Sequence, residues 1–425
     1  MRKTIGVLGL QWGDEGKGKL VHHLSQEMDI VARYNGGNNA GHTIVTQGKS
    51  HIFRLVPSGM LHPNVKGVIG SGTVIHPSIL LEEIEKLHQE GLETRDRLYL
   101  SRQAHIIMPY HLLADELREK ARKSKIGTTK RGIGPCYTDK IAREGIRLAD
   151  MQNIPFFSSL LRDRLEEKAH FFKDYYHFDP LWDFSSLIQE YVDFAHQLEP
   201  YIADTSLILN KAMEEDKNIL LESAQGTLLD IDFGTYPFVT SCSSIVGGAC
   251  SGLGIPPGAI GNVTGVFKAY TTRVGEGPFP TEIHTEEGRI MLEQGQEFGT
   301  VTGRPRRCGW IDLPALQYSI MINGVHRLAL MKLDVLDTLD QIKICTGYKL
   351  NNVLMQSYPC SLHEFASLEP VYETLPGWKS STRNCRHFED LPLHAKQYIK
   401  TLENQLNLSI NIISTGPDRK ETIER

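Results

Sequence analysis

Apolar residues recur along the chain in short, β-rich runs that stop at glycine-rich or polar turns. They read "TIGVLGL" (4–10), "DIVARYNGG" (29–37), "GVIGSG" (67–72), "NILLESAQGT" (218–227), "VTGVFKAY" (263–270), "RLALMKLDVLD" (327–337) and "SINIISTGPD" (409–418). Each predicts a strand followed by a turn. "ILLEEIEKLHQE" (79–90) has helical spacing instead, and helical periodicity dominates 111–218, as in "SSLLRDRLEEKAHFFKDYY". The exception there is 125–148, too glycine-rich to be helix throughout. Strands alternating with helices predict an α/β fold: a large, mostly parallel central sheet with flanking helices and a helical insertion over roughly 111–218. In such sheets ligands gather beyond the C-terminal ends of the strands. No repeat, low-complexity segment or linker divides the chain, so residues 1–425 are expected to form a single unit.

Composition adds mainly exclusions. The 425 residues are 40% hydrophobic and 23% charged, with a formal net charge of -5, which argues against a nucleic-acid-coating protein. No apolar run approaches the roughly 18 residues of a membrane span. The basic start, Met1-Arg2-Lys3, leads straight into the first apolar run and its loop, read as a strand and not a signal peptide. Seven scattered cysteines (136, 242, 250, 308, 345, 360 and 385) contain no C-x-x-C and suit reduced thiols in a cytoplasmic protein.

Chemistry concentrates in the turns. In "GLQWGDEGKGKL" (9–20), Gly13, Gly18 and Lys19 have the spacing of a phosphate-cradling loop, although ordinary strand-to-helix turns share it. Leu20 stands where such loops carry the Ser or Thr that holds Mg²⁺. Asp14, a carboxylate among expected phosphates, resolves the difficulty if it is itself the Mg²⁺ ligand. "YNGGNNAGHT" (34–43) surrounds His42 with small residues that leave little bulk to bury it, placing a proton donor near phosphate. "VTGRPRRCGW" (301–310) clusters arginines on a turn fixed by Gly303, Pro305 and Gly309, which favours anion binding over a solvated basic patch. In "LMKLDVLD" (330–337), the Asp334 carboxylate suits the N1–H and 2-amino donors of guanine, with the Lys332 stem along the base. Other phosphoryl-transfer enzymes, or a GTP-binding regulator that has lost catalysis, remain open on these residues alone.

Taken together, "QWGDEGKGK", "NNAGHT", "PSG", "IGTTKRGIGP", "AQGTLLDIDFGTYPFVTS", "AYTTRVGEGPFPTE", "TGRPRR", "KLDVLD", "YETLPGW" and "ISTGPDR" resemble the adenylosuccinate synthetase family, in family order over nearly the whole chain. The resemblance implies a GTP-dependent ligase that joins IMP and L-aspartate through a 6-phosphoryl-IMP intermediate. This is the first committed step from IMP to AMP, with Mg²⁺ as cofactor and GTP as co-substrate.

By the same resemblance Asp14 is the general base, His42 the acid, and Gln225 a further catalytic residue, with Asp14 and the Gly41 carbonyl holding the metal. GTP falls to Gly13, Asp14, Glu15, Gly16, Lys17, Gly18 and Lys19, to Gly41, His42 and Thr43, to Arg306, and to Lys332, Leu333 and Asp334 with Ser414, Thr415 and Gly416. IMP falls to Asp14–Lys17, Asn39, Ala40, Gly41, His42, Thr129, Gln225, Thr240 and Arg304, and to Arg143 reaching from the other subunit of a homodimer. Aspartate falls to Thr300, Val301, Thr302, Gly303, Arg304, Pro305 and Arg306. Val301 departs from the Thr often found there, which removes one hydroxyl contact. Neither nucleic acid nor membrane is an expected partner.

Overall fold

The computed structural model describes residues 4–46, 48–123, 125–299, 303–355 and 357–425. All seven apolar runs form strands of one ten-stranded sheet, namely β1 (Thr4–Gly9), β2 (Ile30–Arg33), β3 (Lys66–Ile69), β6 (Ile219–Glu222), β7 (Asn262–Lys268), β8 (Arg327–Met331) and β9 (Ile410–Ser414). The remaining members are β4 (Leu98–Ser101), β5 (Ile202–Ala203) and β10 (Thr422–Glu424), and the order across the sheet is β10-β9-β8-β7-β1-β6-β2-β3-β4-β5. Every neighbouring pair is parallel except β9 with β10. A parallel sheet is covered on both faces, so its inner strands read as continuous apolar runs. β6, "ILLE", is buried at all four positions, its terminal glutamate included.

The sequence did not reveal β4, β5 and β10, which are four residues or fewer and lie in polar surroundings. It also left unread an antiparallel layer in which Gln341–Leu350 pairs with Leu368–Pro376. The first of these alternates exposed and buried positions, the signature of a sheet covered on one face.

The first helix, α1 (Lys17–Leu24), starts directly at the loop after β1, and α2 (Pro77–Gln89) matches the 79–90 expectation. Five helices dominate the 111–218 region: α3 (Pro109–Ala121), α4 (Ile133–Ala142), α5 (Ile154–Tyr176), α6 (Phe184–Leu198) and α7 (Thr205–Glu214). Only 133–142 of the glycine-rich 125–148 stretch joins a long helix. The region is not wholly helical, because β5 completes the sheet edge between α6 and α7. Buried side chains of α2, α3, α5 and α6, such as Leu87, Leu117, Leu161 and Val192, share one core with β3 and β4.

Candidate active site

Six parallel strands end on the same side of the sheet. The segments that follow them (10–19 after β1, 34–43 after β2, 223–229 after β6, 269–276 after β7, Lys332 after β8 and 415–417 after β9) all reach one cavity of about 610 Å³. Gly13, Asp14, Gly16, Lys17, Gly18, Lys19, Asn39, Ala40, Gly41, His42, Thr43, Thr129, Gln225, Thr240, Arg304, Arg306, Lys332, Ser414 and Gly416 line it. The sequence spread these residues over four hundred positions, and the sheet topology gathers them.

The loop after β1 is held from beneath. Glu15 is fully buried, and its carboxylate accepts hydrogen bonds from the amides of Gln11 (3.1 Å) and Gly13 (3.0 Å) while pairing with Lys17 Nζ at 2.5 Å. Its side chain therefore shapes the loop and does not reach the cavity. The Gly16 cap has φ 90°, and α1 starts at the next residue. A helix N-terminus beside a glycine-rich turn aims backbone N–H groups and positive dipole at an anion. Lys19 is engaged within the cavity wall. Its Nζ donates to Ser414 Oγ (2.7 Å) and to the carbonyls of Gly416 (2.7 Å) and Glu421 (2.8 Å), which ties the loop to the turn after β9. Burial lowers the Lys19 pKa to about 8.

Gly18 packs against the second loop. A Cβ there would meet His42 Cβ at 2.9 Å, so only glycine permits the two loops to lie this close. His42 Nδ1 sits 2.5 Å from Glu222 Oε1, and Glu222 also accepts from Ser58 Oγ (2.6 Å) and Ser58 N (2.9 Å). Burial lowers the His42 pKa, with the Glu222 bond opposing it. Burial would raise that of Glu222, but His42, Arg33 and Ser58 bring it below the ordinary value. A neutral imidazole donating Nδ1–H to an ionised carboxylate satisfies both, and Nε2 is left for the cavity.

Asp14 is about one-third exposed, with Oδ2 3.0 Å from Arg306 Nε. Asp14, Gln225 and Lys332 have φ of 59°, 59° and 58°, an uncommon left-handed conformation for non-glycine residues. Three cavity-lining side chains at the ends of β1, β6 and β8 thus share a costly backbone state, and such states cluster at functional sites. Gln225 Nε2 donates to Asn39 Oδ1 at 3.3 Å, which joins the loops after β6 and β2.

Not every expected residue lines this cavity. Asp334 faces a neighbouring one of about 480 Å³, together with Asp337, Thr338, Lys379, Ser380 and Arg383. Burial pushes its carboxyl up, and Arg383 Nε donates to it at 3.4 Å. Leu333 and Thr415 are buried beneath, while Gly303 and Pro305 lie beside the cavity without lining it. Arg143 is exposed just past α4 and does not line the cavity, about 7.5 Å along the helix axis from the cavity-lining Thr138. Thr300, Val301 and Thr302 lie outside the described residues. Sequence reasoning missed Glu222 and Glu297. A charged residue ending the buried run "NILLE" was the available signal for Glu222; for Glu297 there was none.

The cavity thus combines a helix start, two close-packed glycine loops, a carboxylate, an oriented histidine and arginines, a set suited to phosphoryl transfer to an acceptor held nearby. A profile described as adenylosuccinate synthetase matches residues 6–423. Adenylosuccinate synthetases of Caldanaerobacter subterraneus and Heliobacterium modesticaldum are each 51% identical to this chain, over 98% and 99% of it and 98% of each relative. The fully ligated adenylosuccinate synthetase from Plasmodium falciparum has a structure that superposes with a TM-score of 0.95, at 41% identity over 99% of both chains. By sequence, fold and the placement of its loops, the chain belongs to the adenylosuccinate synthetase family.

Proposed function

We propose the following division of labour within the 610 Å³ cavity. The chain is a GTP-dependent ligase that forms a C–N bond between IMP and aspartate, as its family does. The 6-oxo group of IMP is a poor leaving group, so the γ-phosphoryl group is first transferred to it. The aspartate amine then attacks C6 and expels phosphate. Asp14, at the mouth of the loop after β1, takes the N1 proton as O6 is phosphorylated. His42 Nε2 faces the phosphates; their negative charge favours the imidazolium, which then offsets charge developing on the leaving GDP. Glu222 supports that role by fixing the ring from Nδ1.

The proposed Mg²⁺ site fits the residues present. Asp14 and the Gly41 carbonyl offer hard oxygen donors in the same cavity, and Mg²⁺ is commonly held by one or two protein oxygens plus phosphate and water. Among the described residues no group of three or more His, Cys, Asp or Glu forms an all-protein cage. When bound, the ion supplies neutralisation of phosphate charge.

IMP rests on Asn39, Thr129, Gln225, Thr240 and Arg304. Aspartate rests on the 300–306 segment, with Arg304 and Arg306 as its anion-binding forks. Lys332, Asp334 and Ser414–Gly416 enclose the guanine. Arg143 is directed at the cavity of a second subunit, which is supported by its exposure beside Ile141, itself 79% exposed. The chain acts in the cytoplasm as a homodimer; its seven cysteines are free, and no described helix is long and apolar enough to cross a membrane.

The observation that carries this reading is the convergence of Asp14 and His42, from separate strand ends, on one glycine-walled cavity. Replacing Asp14 by Asn tests it. Turnover should be abolished while GTP and IMP binding, followed by calorimetry, largely survives. Comparable loss of both would make Asp14 a binding or structural residue.

A further inference from the structure

Behind the cavity wall, one carboxylate gathers four donors from three parts of the fold. Glu297, three residues past the helix Glu286–Gln294, is fully buried. Its Oε1 accepts from Lys268 Nζ (3.0 Å), Lys332 Nζ (2.7 Å) and Tyr270 OH (2.5 Å), and its Oε2 from Arg306 Nη1 (2.5 Å). Its backbone carbonyl accepts from Arg306 N at 2.8 Å, and the Gly295 carbonyl holds Lys332 Nζ a second time at 2.8 Å. Burial alone would raise the Glu297 pKa, but Lys268, Lys332 and Arg306 drive it far below the carboxylate range.

We propose that Glu297 is a positioning residue that presents Arg306 and Lys332 to the anionic substrates; this rests on the function proposed above. Glu297 and Lys268 are sealed from solvent, whereas Arg306 and Lys332 reach the cavity from the same hub. Two long side chains that line the cavity lose their rotamer freedom to a buried anchor before any ligand arrives, a cost that binding otherwise bears. The hub is also unbalanced. Three cations meet one buried carboxylate, and Asp14 beside Arg306 adds only a second negative charge. The surplus positive charge faces the cavity, where a substrate carboxylate or phosphate completes it. Four of the five residues proposed to hold IMP, Asn39, Thr129, Gln225 and Thr240, make no hydrogen bond or ion pair with Glu297, whereas Arg306 and Lys332 both do, so its influence should fall mainly on aspartate and GTP.

The test is the pattern of Michaelis constants in Glu297→Gln, which keeps the shape and removes the charge. Expected are KM values for aspartate and GTP raised about tenfold or more, the scale on which supporting partners alter affinity, with KM for IMP within twofold of the parent. Unchanged KM values accompanied by a lower melting temperature would make Glu297 a purely structural residue and overturn the proposal, as would an equal rise for all three substrates. If Glu297→Gln does not fold, Glu297→Asp keeps the charge but withdraws it by one methylene, and the same selectivity must appear there in milder form. The parent enzyme, assayed in parallel for phosphate release with aspartate omitted, separates the two questions. Aspartate-independent release would count against the proposed ligation, whereas an unselective variant of an aspartate-dependent parent counts only against Glu297.

Discussion

His42 Nδ1 lies 2.5 Å from Glu222 Oε1, both groups are buried, and the carboxylate is further held by the amide and hydroxyl of Ser58. This arrangement fixes the ring plane and tautomer, so that Nε2 and not Nδ1 is left for the phosphates in the proposed mechanism. Glu222→Gln keeps an acceptor for Nδ1–H but removes the charge that stabilises an imidazolium. A fall in kcat of about 100-fold, the lower range of what acid–base catalysis contributes, is expected, with KM for IMP little changed. Steady-state kinetics on the variant, with Ser58→Ala as a milder companion, checks this; undiminished kcat would remove His42 from the chemistry.

Most of the site was legible in the turns because each lies at the end of a run that is apolar enough to be recognised as a buried strand. Asp14, His42 and Lys332 were picked out this way, whereas Gln225 entered only through the family resemblance. What the sequence withheld is the third dimension of the wall. Glu222 and Glu297 meet distant partners, at separations of 180 residues for His42 and 35 for Lys332; the buried run before Glu222 marks it as unusual but not its partner, and Glu297 has no local signature at all. Lys19 was read from spacing as a phosphate-loop lysine; its ammonium donates to Ser414 Oγ and to the carbonyls of Gly416 and Glu421, contacts across 395 to 402 residues that spacing does not reveal. The antiparallel layer over 341–376 went unread since its period-two alternation sits among turns and polar residues.

Away from the cavity, Asp312 caps the helix Leu313–Asn323, accepting from Ala315 N (3.2 Å) and Tyr348 OH (2.5 Å), while Oδ2 is buried without a hydrogen-bond partner. Burial pushes its pKa from 3.8 to about 6. A carboxyl that holds its proton more tightly folded than unfolded stabilises the fold below the unfolded pKa, and that contribution is lost as pH rises through about 6. The loss is on the order of 3 kcal/mol. Asp312→Asn retains the cap without the ionisation, so it should melt a few degrees above the parent at pH 8 and match it near pH 4. Thermal denaturation at the two pH values checks the sign; a variant less stable at pH 8 would refute it.

The proposed supply of Arg143 from the second subunit makes a sharp prediction for mixtures. Asp14→Asn and Arg143→Leu subunits should each be inactive as homodimers. A heterodimer restores one complete site, with Asp14 from one subunit and Arg143 from its partner. After random exchange of equal amounts, about a quarter of sites should be intact. Activity assays after mixing, alongside proof of exchange by mass spectrometry, test this. Exchange without recovery would mean that Arg143 serves its own subunit or none.

A three-substrate ligation in this cavity differs from simple phosphate transfer to water or to one acceptor in what it consumes and releases. Phosphate release from GTP in the presence of IMP, aspartate and Mg²⁺, with each component omitted in turn, tests it most directly. Release is expected only with all of them present, matched one for one by adenylosuccinate. Release that persists without aspartate, or without an equal yield of adenylosuccinate, would contradict it.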